Sequence, residues 1–68
     1  MQSHFLTARE SEIFNLLSKN LDTMEIAYKL GISEKTVRNH ISNVIQKLGV
    51  KGRSQAIIEL VRLKAIKL

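Results

Sequence analysis

Lys35, Arg38, Asn39, Ser42 and Asn43 fall close together in the segment Glu25 to Lys47, EIAYKLGISEKTVRNHISNVIQK. Steps of three and four residues bring side chains to one side of a helix. The groups concerned are a guanidinium, an ammonium, two amides and a hydroxyl, all suited to hydrogen bonding rather than to making bonds. The Arg38 fork fits guanine O6 and N7, a pairing worth about 1–3 kcal/mol of discrimination. Asn39 can pair with adenine, and Ser42 with several bases. Contacts to phosphate ask only for charge and donors. Ser33, Lys35, Thr36, His40, Asn43, Lys47, Lys51 and Arg53 offer those, and a helix starting after Ser33 adds its own positive end.

Those side chains need a rigid support, and the pattern is helical throughout. Thr7-Ala8-Arg9-Glu10 reads as a capping box. It opens a first helix over about 8–19, with Ile13, Phe14, Leu16 and Leu17 inward. Asn20 follows and tolerates the left-handed backbone that ends helices. Asp22-Thr23-Met24-Glu25 is a second box and opens a helix over about 23–30, its inner face Ile26, Ala27 and Leu30. Gly31 stops it. Ser33 caps a third helix over about 34–48, with Val37, Ile41, Val44, Ile45 and Leu48 buried, and Gly49 stops that one. A basic loop then leads to Ser54, read as the cap of a fourth helix over about 55–64. The small Ala27 lets the third helix come close to the second. Gly31 supplies the positive φ that a tight turn between them requires.

Sixty-eight residues, 44% of them hydrophobic, make one folded domain with a thin core. Absence of cysteine removes disulfides and thiolate zinc sites, and is consistent with the cytoplasm. No apolar run approaches the roughly 18 residues of a membrane span, and the N-terminus is too polar for a signal peptide. Charge is uneven. Residues 1–32 hold three basic and four acidic side chains, whereas residues 33–68 hold eight basic and two acidic. Positive charge gathered in one half points to a polyanionic partner.

The motifs T-A-R-E, E-I-A-x-x-L-x-I-S-E-K-T-V-R-N-H-I-S-N and K-L-G-V-K-G-R-S-Q-A occur in that order. Together they resemble the LuxR-type (GerE and NarL/FixJ) helix-turn-helix DNA-binding domain, most closely its free-standing GerE-like spore regulators. The resemblance covers about residues 6–63. It implies an all-α, four-helix fold whose third helix enters the major groove, with base contacts at Arg38, Asn39 and Ser42. It further implies a sequence-specific transcriptional regulator pairing on a pseudo-palindromic site, RNA polymerase as a partner, and a bacterial cytoplasmic, nucleoid-associated location. Both a free-standing protein and the effector domain of a response regulator fit. Two positions depart from the family pattern. Asn20 stands where glycine is frequent, and the helix-ending role survives. Asp22 stands where Ser or Thr is frequent, and its carboxylate would repel phosphate. No phosphate contact is therefore assigned to Asp22, and the role of Thr23 stays open.

The fourth helix has more apolar residues than one buried stripe needs. Ala56, Ile57, Leu60, Val61 and Leu63 share a broad face, and Ile58 and Ala65 fall outside it. A homodimer is expected through this helix, with Ile58, Val61, Arg62 and Ala65 near the axis; burial within the domain or against another domain is the alternative. A protein-docking module using the same face is the competing function. Arg53 has two readings, a phosphate contact or a partner of Glu10 or Glu12. His40 reads as a hydrogen-bonding or structural residue. No His, Cys or Asp stands at ligand spacing from it, and His4 lies in the N-terminal tail, so neither metal nor cofactor is expected. Lys19, Lys29, Arg62, Lys64 and Lys67 read as solvated surface. With no phosphate-binding glycine loop, no paired carboxylates and no Ser/His/acid arrangement, neither an enzyme nor a small-molecule site is expected.

Overall fold

The computed structural model describes residues 5–66, so His4 and Lys67 lie outside the described residues. Four helices follow in order: α1 (Ala8–Ser18), α2 (Thr23–Leu30), α3 (Glu34–Leu48) and α4 (Arg53–Arg62). No strand occurs among the described residues.

Local chemistry at each helix start explains most of these boundaries. The Thr7 hydroxyl accepts the Glu10 N–H (3.1 Å) while the Glu10 carboxylate accepts the Thr7 N–H (3.0 Å). Asp22 and Glu25 repeat the exchange at 2.8 and 2.9 Å. Ser33 accepts the Thr36 N–H at 3.0 Å. Each bond satisfies a donor that the helix itself leaves without a partner.

The helix ends share one device. Asn20, Gly31, Gly49 and Lys64 have φ of 71, 68, 69 and 60°. After each, an N–H returns to the carbonyl five residues back: Leu21 to Leu16, Ile32 to Ala27, Val50 to Ile45 and Ala65 to Leu60. These are Schellman closures, and Leu21, Ile32, Val50 and Ala65 pack against the core as that motif favours.

Helix α4 departs from expectation at both ends. It starts at Arg53, two residues earlier than expected, with Gly52 as N-cap and no capping side chain. Ser54 is therefore inside the first turn and is not the cap. Gln55 instead reaches back to accept the Lys51 N–H at 2.9 Å. The helix also ends two residues early, because Lys64 takes the left-handed conformation. Leu63 consequently faces out, 51% exposed, and Ile66 turns into the core. Ala65 lies in the closing turn rather than on the helix.

Eleven buried apolar residues form the core: Ile13, Phe14 and Leu17 of α1, Ile26 and Ala27 of α2, Val37, Ile41 and Val44 of α3, Ala56 and Leu60 of α4, and Ile66. Helix α3 contacts all three of the other helices. Its orientation is therefore set from several sides.

Candidate nucleic-acid interface

Burial divides α3 cleanly. Val37 and Val44 are fully buried and Ile41 nearly so, whereas Lys35, Arg38, Asn39, Ser42 and Asn43 are exposed. Thr36 and His40 are half-buried at the edges of that face. The groups read from the sequence as base contacts, Arg38, Asn39 and Ser42, thus share one outward surface with Lys35 and Asn43. Among the other exposed cations of this half, Lys51 and Arg53 sit at the start of α4. Arg53 occupies the first turn of α4, where no acid accompanies it. A cation there opposes the helix dipole, so an anion placed between them is favoured. Ser33, at the start of α3, shares a 2.8 Å hydrogen bond between its hydroxyl and that of Thr36.

Lys47 is engaged elsewhere. Its ammonium donates to Glu10 Oε1 at 2.6 Å and to the Phe5 carbonyl at 3.2 Å, and lies 5.9 Å from the centre of the Phe5 ring. Glu10 is only 4% exposed, so this pair links α1 to α3 from within. Glu12 pairs with Arg9 at 3.6 Å. Both acids offered to Arg53 therefore have other cations. Burial is the strongest single influence on the Glu10 carboxyl and opposes its ionisation. The Lys47 hydrogen bond, the Thr7 N–H and the fields of Lys47 and His40 together outweigh it, and hold the carboxyl below its ordinary value of 4.5.

A depressed carboxyl contributes stability above its unfolded value and loses it as pH falls through the folded one. The melting temperature should accordingly fall below about pH 4.5, and Glu10→Gln should flatten that decline. Thermal scans from pH 3 to 7 check this; parallel profiles for the two proteins would remove the assignment. Losing a charge-assisted bond of this kind costs about 1.5–3 kcal/mol, so Lys47→Met should act chiefly on stability.

Sequence reasoning missed Glu34. Its Oε2 accepts the Arg38 Nη2–H at 2.8 Å and the Thr23 hydroxyl at 2.7 Å. The i,i+4 spacing of Glu34 and Arg38 was a readable signal; the reach of Thr23 from another helix was not. The Thr23 hydroxyl donates to this carboxylate across the two helices.

On α4, Ile58 is 67% exposed and Val61 partly buried. Arg62 donates through Nε and Nη2 to Glu59 of its own helix. That bond is the main cause holding the Glu59 carboxyl below and the Arg62 guanidinium above their ordinary values. No group of three or more metal-ligating side chains occurs among the described residues. No described helix is long and apolar enough to cross a membrane.

Comparison with known proteins places this surface in a context. The profile of the GerE family, bacterial regulatory proteins of the luxR family, matches residues 4–60. The spore germination protein GerE of Bacillus subtilis (strain 168) is 64% identical over 63 residues, 93% of this chain and 85% of that protein. The transcriptional regulatory protein DegU of Brevibacillus brevis is 44% identical over 59 residues; the match covers 87% of this chain but 25% of DegU. A solved structure of the transcription factor GerE superposes with a TM-score of 0.93 at 62% identity, covering 96% of this chain and 97% of that one.

Proposed function

We propose that this chain, which belongs to the luxR family of bacterial regulatory proteins, reads DNA by laying α3 in the major groove. It is a DNA-binding transcriptional regulator and not an enzyme. Arg38, Asn39 and Ser42 meet base edges, with Arg38 forking onto guanine. Ser33, Lys35, Thr36, His40, Asn43, Lys51 and Arg53 hold phosphates around them, fixing the register of the helix in the groove. One observation carries this reading: Val37, Ile41 and Val44 are buried while Arg38, Asn39 and Ser42 stand in solvent on the same helix.

Two copies bind one site, paired through α4. Supporting this is a large aliphatic side chain, Ile58, two-thirds exposed beside the partly buried Val61. Arg62 lies at the same end, and Ala65 follows in the closing turn. Half-sites then lie about one helical turn apart and are inverted copies of each other. A regulator bound in this way has RNA polymerase as its natural partner. The DNA it reads puts it in the cytoplasm, at the nucleoid.

Selection of bound duplexes from a random pool tests the reading. A pseudo-palindrome with a guanine in each arm is expected; duplexes sharing no motif would overturn it. The dimer has its own test. Burying one Ile side chain contributes about 1.5–3 kcal/mol. Ile58→Asp should weaken joint occupancy of a two-half-site duplex more than about tenfold, by sedimentation of the complex, and leave single half-sites unaffected. Equal stoichiometry and cooperativity in both proteins would exclude α4 as the interface.

A further inference from the structure

One carboxylate oxygen connects two helices and the arginine assigned to the bases. Glu34 Oε2 accepts the Thr23 hydroxyl at 2.7 Å and the Arg38 Nη2–H at 2.8 Å. Thr23 opens α2 and is 8% exposed; its hydroxyl is therefore a fixed donor. The Glu34 side chain is 33% exposed and that of Arg38 is 61% exposed. An ion pair this open to water adds little stability. The bond from Thr23 is the feature that a simple surface pair would lack, because it anchors the carboxylate to a different helix.

We infer that Glu34 is a positioning residue that sets base preference by holding the Arg38 guanidinium in one orientation before DNA arrives. The inference rests on the reading of Arg38 as a base contact. An exposed arginine gives up rotamer freedom when it docks, and one already held gives up less. The guanidinium has five N–H donors. Glu34 engages one, which leaves enough for a two-pronged contact with guanine. The carboxylate also repels nearby phosphate. An arginine released from it can swing to the backbone, where contact carries no sequence information. Glu34 thus trades general affinity for discrimination.

The probe is a duplex recovered from a random pool by the wild-type chain, alongside the same duplex with its half-site guanines replaced. The ratio of the two affinities is measured at fixed salt for wild type, Glu34→Gln, Thr23→Val, Arg38→Ala and the double variant Glu34→Gln/Arg38→Ala. Glutamine keeps one acceptor oxygen for the Thr23 hydroxyl, loses the charge, and puts an NH2 in place of the second oxygen. Glu34→Gln should lower the ratio roughly three- to tenfold, chiefly by strengthening binding to the replaced duplex. Thr23→Val should lower it less, and in the Arg38→Ala background Glu34→Gln should leave the ratio unchanged. A ratio unchanged in Glu34→Gln, with every duplex weakened alike or the melting temperature lowered, would mean a purely structural role and overturn the inference. So would a change in the ratio on Glu34→Gln that persists without Arg38, since the carboxylate would then act on the bases itself. A wild-type ratio in Arg38→Ala alone would instead remove the base contact, and the inference with it, whatever Glu34 does.

Discussion

Replacing Arg38 by alanine should reduce the preference for the selected site by about 1–3 kcal/mol, or roughly 5- to 150-fold, per half-site. Two half-sites read by a dimer count the loss twice. The size follows from geometry. Arg38 lies on the exposed face of α3, one residue from the buried Val37, and its planar fork can make two parallel bonds to one guanine. A lysine in its place would keep the charge and lose the fork, so Arg38→Lys should recover general affinity without recovering preference. Lys51→Ala provides the contrast. Lys51 is exposed beside the start of α4 and is assigned to phosphate. Its loss should weaken all duplexes alike and make the salt dependence of log K shallower by about 0.9 per contact removed. Competition gel shifts across a salt series separate the two behaviours. A uniform loss in Arg38→Ala, or a sequence-selective one in Lys51→Ala, would reverse the assignments.

Phe14→Ala should be the most damaging change to the fold. Phe14 is fully buried, whereas Phe5 is 40% and Tyr28 91% exposed, so one aromatic ring fills the centre of the described core. Emptying such a site costs about 3–5 kcal/mol. A chain of this length has roughly 3–10 kcal/mol in total. The melting temperature should therefore drop by about 12–40 °C. DNA binding should be lost over the same range, because α1 is one of the supports that orient α3. Melting followed by circular dichroism checks this. A fall of less than about 5 °C, outside the range for this loss, would show that Phe14 does not organise the core.

The legible parts of the fold were those written within four residues. Thr7 with Glu10, Asp22 with Glu25, and Ser33 with Thr36 are local exchanges that residue type alone announces. Asn20, Gly31 and Gly49 are residue types that accept a positive φ, and all three do so. Lysine carries no such signature, so the turn at Lys64 was unreadable, and with it the outward Leu63 and inward Ile66. The start of α4 was misread for a related reason. Ser54 has the chemistry of a cap, but Gly52 occupies that position and Gln55 supplies the returning acceptor. Contacts distant in sequence were also hidden. Lys47 meets Glu10 across 37 residues, and no periodicity encodes that meeting. The exposed face of α3 was readable because it is the complement of a strong apolar stripe. The bond from Thr23 to Glu34 that steadies it required the angle between two helices.

Methylation interference on the selected duplex tests the central claim most directly. Dimethyl sulfate modifies guanine at N7, on the major-groove edge, and adenine at N3, on the minor-groove edge. If α3 lies in the major groove with Arg38 on guanine, methyl groups at N7 of one guanine per half-site should block the wild-type chain, and Arg38→Ala should be indifferent to them. Interference confined to adenine N3, or N7 interference undiminished in Arg38→Ala, would contradict the account.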